Sequence, residues 1–194
     1  LGNGNGNSIF GANISGGASN YISANNNTIT NYSTVGGGSI NIIGNNVGVI
    51  ADYSTISGGG GNVIGNSPSD MCSFSTIGGG SENIIGISAQ STTFASTIGG
   101  GFQNGIDASC ATIGGGCGNT INLSANGATI GGGENNTANS AFDVIGGGSG
   151  NTTFANYGVI AGGNSNSTYG DYAVISGGES NSVSSNYGVI AGGN

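Results

Sequence analysis

The stretch TIGGGCGN, residues 112–119, sets three consecutive glycines behind a β-branched pair. That pattern matches a loop whose backbone amides cradle a phosphate where a strand turns into a helix. A phosphate loop also needs a lysine, and the chain has no Lys, Arg or His. A dinucleotide fingerprint needs a third glycine three positions after the second, and Asn119 stands there. The motif therefore reads as a turn in a scaffold.

Other chemistry meets the same obstacle. Without His there is no Ser-His-Asp or Cys-His relay, and without Lys no Schiff base. The acids Asp52, Asp70, Glu82, Asp107, Glu134, Asp143, Asp171 and Glu179 are scattered, with no carboxylate pair for glycoside cleavage and no acid in every repeat to bind calcium. Cys72, Cys110 and Cys117 occupy unrelated positions, so no metal-ligand spacing exists. They read as small buried hydrophobes, with one disulfide as the alternative. Sequons at Asn13, Asn26, Asn31, Asn122, Asn135, Asn151 and Asn166 follow from 29 Asn in a Ser/Thr-rich chain; glycosylation depends on the cell. The expectation is a protein that is not an enzyme, with no cofactor and no metal.

Composition limits the partners. An average chain of 194 residues carries roughly 20 or more basic side chains, whereas this one has none and a net charge of −8. Such a surface neither releases counterions from nucleic acid nor attracts anionic lipid. The apolar runs are too short for membrane insertion as a helix. The sequence shows no initiator Met, signal peptide or basic leader, so a mature or excised segment is expected. With 23 Ile and 9 Val against 2 Leu, and 45 glycines, the chain reads as β.

The elements that must position these residues form an array. Counting the Ile of each TIGGG-like motif as the anchor, eleven anchors recur: Ile14, Val35, Ile56, Ile77, Ile98, Ile113, Ile130, Ile145, Ile160, Ile175 and Ile190. They are spaced by 21 residues at first and then by 15, with a single interval of 17. Two glycines stand two and three residues after every anchor. Six residues after the first ten stands an Asn: Asn20, Asn41, Asn62, Asn83, Asn104, Asn119, Asn136, Asn151, Asn166 and Asn181.

The periodicity predicts an all-β chain, a parallel β-solenoid of about eleven coils. Residues 1–105 form wide coils and 106–194 slim ones, continuous with each other because no Pro-rich or charged linker intervenes. Strand alternation turns the anchor and the small residue two before it (Ser33, Ser54, Ser75, Ala111, Ala173) inward. It turns the residues one and three before the anchor outward. An apolar residue eight after the anchor (Ile22, Ile43, Ile64, Ile85, Ile106, Ile121, Val183) meets it across a thin core. The paired glycines turn a corner at positive φ, and the Asn side chains stack into a hydrogen-bonded ladder. Asn126 lies outside that slot and is expected to be dispensable. The extra segment of the wide coils, with Ile29, Ile50 and Met71, is either a short strand or a bulging loop.

The stretch SNSTYGDYAVISGGESNSVSSNYGVIAGG, residues 165–193, repeats Tyr, small, Val, Ile, small, Gly, Gly, two variable residues and Asn. This pattern resembles the YadA-like head repeats of trimeric autotransporter adhesins and related bacterial and phage fibre repeats. The likeness is close over most of residues 106–194 and looser before. It implies a left-handed β-roll, three chains side by side, display outside the cell, and binding of host or matrix surfaces without catalysis.

The outward rows separate two functions. One residue before the anchor stand Thr34, Thr55, Thr76, Thr97, Thr112 and Thr129, then Val144, Val159, Val174 and Val189. Three before it stand the packing-row aromatics Tyr32, Tyr53, Phe74, Phe142, Tyr157, Tyr172 and Tyr187. The first reading is a structural or adhesive extracellular fibre, self-associating as a homotrimer or, through uncapped terminal coils, as a head-to-tail polymer. The second is a surface-binding module for ice or a neutral glycan, or a phage tail-fibre segment.

Overall fold

The computed structural model describes residues 10–22, 28–89 and 92–194; the sequon at Asn26 lies outside them. Among the described residues there is no helix, and every strand is two residues long. Eleven strands, each ending on an anchor from Asn13–Ile14 to Val189–Ile190, form one parallel sheet in sequence order. Ten more, from Tyr21–Ile22 to Ser182–Val183, form a second parallel sheet. The chain is a parallel β-solenoid, each of the first ten coils giving one strand to each sheet and the last giving one to the first sheet.

Register is strict, because a slip of one residue would turn every Ile outward. Anchor pairs anchor along the whole first sheet, as in Ile98↔Ile113↔Ile130. Ile106↔Ile121 does the same in the second. Both sheets thus run unbroken from wide coils into slim ones. A third column of single bridges follows the residue four after the anchor, from Ala18↔Ser39 to Asn164↔Glu179.

The extra segment of the wide coils resolves as a fourth column of bridges, Ile29↔Ile50↔Met71↔Thr92, where it ends. Its named apolar residues are not the buried ones. Ile29 and Ile50 are half-buried and Met71 is exposed, while the flanking Val49, Ala51, Cys72 and Thr93 face inward.

The core is the expected thin one. Anchors from Val35 to Ile175 are fully buried against Ile22, Ile43, Ile64, Ile85, Ile106 and Ile121. In later coils Ala138, Thr153 and Thr168 take that opposing slot. No coil could bury its Ile alone, so cohesion is between neighbours.

One expectation about the strands is corrected. The strand does not reach back three residues from the anchor. That position is a turn residue in the left-handed region, from Tyr32 at φ 55° to Phe142 at 61°. The aromatic row therefore stands on a corner of the coil, not on a sheet face. Two-residue strands leave most of each coil to corners, and the corner ahead of each anchor needs positive φ.

Candidate functional site: ladders and aromatic columns

At the opening motif the amides of Gly114, Cys117 and Gly118 donate to carbonyls of Ile130, Gly133 and Phe102, each at 2.9 Å. The amide of Asn119 donates to Oδ1 of Asn104 at 3.0 Å. These four donors are consumed within the solenoid. Gly116 is glycine for two reasons: its φ is +90°, and a Cβ there would run into the carbonyl oxygen of Gly133.

The ten Asn form one continuous ladder. Each of Asn41, Asn62, Asn83, Asn104, Asn119, Asn136, Asn151, Asn166 and Asn181 donates backbone N–H and Nδ2 to the Oδ1 of its predecessor. Nδ2 of Asn119 also reaches the carbonyls of Gly115 in its own coil at 3.0 Å and Gly133 in the next at 2.9 Å. Asn20 opens the row by donating to the Gly16 and Gly38 carbonyls. From Asn41 to Asn166 the row is buried, where an unpaired amide would be costly.

A second row escaped the sequence reading. Four residues before the anchor, Oδ1 of Asn31 accepts from Phe10 N–H at 2.9 Å, and Oδ1 of Asp52 from Asn31 N–H at 2.6 Å. Asn126, Asn156, Asp171 and Asn186 accept likewise from Ser109, Ala141, Asn156 and Asp171 at 2.9–3.2 Å. Here the earlier coil's amide donates to the later coil's side chain, the reverse of the first ladder. Asn126 thus belongs to this second row, although it lies outside the first. The signal was present as Asn or Asp recurring four before six of the anchors.

A third, buried row uses serine. The hydroxyls of Ser33, Ser54, Ser75 and Ser96 donate to the carbonyls of Ala51, Cys72, Thr93 and Ala108 at 2.7–2.9 Å.

The predicted packing row divides into two columns. Tyr32, Tyr53 and Phe74 stack at centroid separations of 5.1 Å, closed by edge contacts from Phe10 and Phe94. Phe142, Tyr157, Tyr172 and Tyr187 stack at 4.8–5.1 Å with planes within 13°. Ala95, Cys110 and Gly127 occupy the slot between them, so the row is interrupted over three coils. A short parallel column pairs Phe154 with Tyr169 at 4.7 Å. The rings are about half exposed, and Tyr187 is 72 % exposed. Inside a column the faces cover one another, leaving ring edges and phenol hydroxyls outward. Stacking also holds bulky residues at a positive φ they would otherwise avoid.

The two outer faces exchange character along the axis. On the first sheet the row before the anchor is Thr34 to Thr129, then Val144 to Val189. On the second sheet the outward row runs Ile42, Val63, Ile84 and Gly105, then Thr120, Thr137 and Thr152.

Among the described residues, Asp70, Cys72, Asp107 and Asp143 are buried ionisable groups. Burial pushes the Cys72 thiol up to about 12, although the Thr93 hydroxyl donates to its Sγ at 2.8 Å. Burial likewise holds Asp143 above its ordinary carboxylate value, against donation from Gly158 N–H at 2.9 Å and Ser140 N–H at 3.0 Å. The Thr153 hydroxyl lies beside this carboxyl outside hydrogen-bonding geometry, and neither it nor the buried Thr168 hydroxyl has a hydrogen-bond partner. The buried-hydrophobe reading of the cysteines holds for Cys72 alone. Cys110 is exposed on the left-handed corner and Cys117 half-buried in the bridge column, and all three are free thiols.

Among the described residues no group of three or more Cys, Asp or Glu is placed to hold a metal, and no helix is long and apolar enough to cross a membrane. Compared with known families and curated proteins, the chain matches no family model and no curated protein.

Proposed function

We propose that this β-solenoid is a non-catalytic structural segment of an extracellular or cell-surface fibre, whose exposed aromatic columns pack against further copies of the chain. The observation that carries the reading is the unbroken Asn20 to Asn181 ladder, which ties every coil to the next by side-chain as well as backbone hydrogen bonds. Such stacking suits a stiff axial element. The half-exposed columns from Tyr32 to Phe74 and from Phe142 to Tyr187 supply apolar ridges for lateral contact, as a trimer or a longer polymer. Host-surface adhesion, as the adhesin resemblance implies, belongs to this reading.

Electron microscopy of the native particle, with sedimentation of the pure protein, tests it. Rods or filaments with lateral association are expected; monodisperse single-chain particles at all concentrations would overturn self-association. The solenoid should also survive hot detergent, and trypsin finds no Lys or Arg to cleave.

A second reading rests on the in-register Thr34↔Thr55↔Thr76↔Thr97↔Thr112↔Thr129 row, a line of hydroxyls about 4.8 Å apart suited to ordering ice-like water. Thermal hysteresis at micromolar protein would favour it. The glycan alternative gains less from the geometry, since ring stacking leaves few aromatic faces for a sugar.

A further inference from the structure

We propose that the groove over Gly105 on the second sheet binds the side chain of a lysine presented by a partner protein. The groove, about 330 Å3, is lined by Glu82, Ile84, Ile87, Gln103, Gly105 and Thr120. It exists because Gly105 interrupts the outward row between Ile84 and Thr120. A methyl group at Gly105 would lie 2.5 Å from Cδ1 of Ile87, so Ile87 already leans into the gap and floors it. That lean is fixed. Buried Asp107 accepts from the amides of Ile87 at 2.5 Å and Ser88 at 2.9 Å, and from the Ser88 hydroxyl at 2.6 Å.

The rim decides the ligand. Nε2 of Gln103 donates to Oε2 of Glu82 at 2.7 Å, which orients both side chains and leaves Oε1 of each as an acceptor. The occupant must therefore donate. It must also tolerate, and gain from, an uncompensated carboxylate on a chain of net charge −8 with no cation. A second copy of these 194 residues cannot supply that group, having no Lys, Arg or His.

Lysine fits better than arginine. With Oε2 already accepting from Gln103, Glu82 presents fewer free lone pairs to the two parallel donors of a guanidinium fork. A compact ammonium needs only Oε1 and its neighbour. The lysine stem, four methylenes long, lies along Ile84 and Ile87 while its charged end reaches the rim. The groove is independent of whether the solenoid forms a fibre.

The test is an amide-shift titration of the whole protein at low ionic strength with Nα-acetyl-lysine methylamide. Its norleucine, arginine and 1,4-diaminobutane counterparts run alongside. Glu134 and Glu179 are internal controls, exposed carboxylates outside the groove. Saturable shifts at Glu82, Gln103, Gly105 and Thr120, at least about fivefold weaker for norleucine and for Glu82→Gln, are expected. Arginine should bind more weakly than lysine. Shifts no larger than those at Glu134 and Glu179, or unchanged in Glu82→Gln, would overturn the proposal. Equal binding of the diamine would assign the groove to free polyamines and overturn the protein-partner reading.

Discussion

Nδ2 of Asn119 donates to Oδ1 of Asn104, one coil earlier, at 3.1 Å, and both residues are buried. Asn119→Ala removes this link and leaves the Gly115 and Gly133 carbonyls and the Asn136 amide short of a partner. A loss of about 1–3 kcal/mol is expected in denaturant unfolding. Asn126→Ala should cost less, because its partner Ser109 N–H lies in an exposed link that water can replace. Equal costs would mean that burial does not set the value of a ladder position.

The two central glycines of residues 112–119 should behave differently. A Cβ at Gly115 approaches no closer than 3.9 Å to the Gly100 carbonyl oxygen, whereas at Gly116 it meets backbone at φ +90°. Gly115→Ala is expected within about 1 kcal/mol of the parent, and Gly116→Ala to lose more than about 2 kcal/mol. Thermal melts of the pair decide it.

Thr168 fills a slot held by Ile or Val in most coils, and its buried hydroxyl has no partner. Thr168→Val keeps the shape and removes the unsatisfied oxygen. The variant should gain about 1 kcal/mol in unfolding free energy. A loss would show that the hydroxyl is hydrogen-bonded in solution.

Asp143 gives a pH dependence of known sign. Its folded carboxyl titrates above the ordinary value of 3.8, so in that window the folded state holds more protons than the unfolded one. Stability at this site is therefore lost as pH rises through the folded value, and the cost disappears below 3.8, where both states are protonated. Asp143→Asn should flatten this component. If the stability difference between parent and variant did not change with pH, burial would not be penalising the charge.

The thiols should react in order of exposure. Cys110, exposed, alkylates in the native protein at neutral pH, and Cys117 follows. Cys72, buried and pushed up to about 12, should react only after unfolding. Peptide mass mapping of native and denatured samples checks this.

Periodicity alone determined the solenoid. Ile at each anchor, glycines two and three later and Asn six later admit one solution in which every coil repeats the last. In-register stacking then carries each slot onto its copy, so the Asn ladder was legible as a spacing. Tertiary structure alone decided what depended on direction and depth. The aromatics from Tyr32 to Tyr187 obey the same period whether on a strand or on a corner, and only backbone φ puts them on the corner. Asn126 and Asp171 join a second ladder because that corner aims their side chains at the preceding coil's amide. Asp143 is buried because its slot, two before the anchor, faces the core, although its charge argues for the surface. The groove over Gly105 needs Ile87 and Gln103, sixteen residues apart in the chain, to meet across neighbouring coils. Spacing along the chain records which residues share a column; it does not record the φ values and side-chain reach that set how neighbouring columns meet.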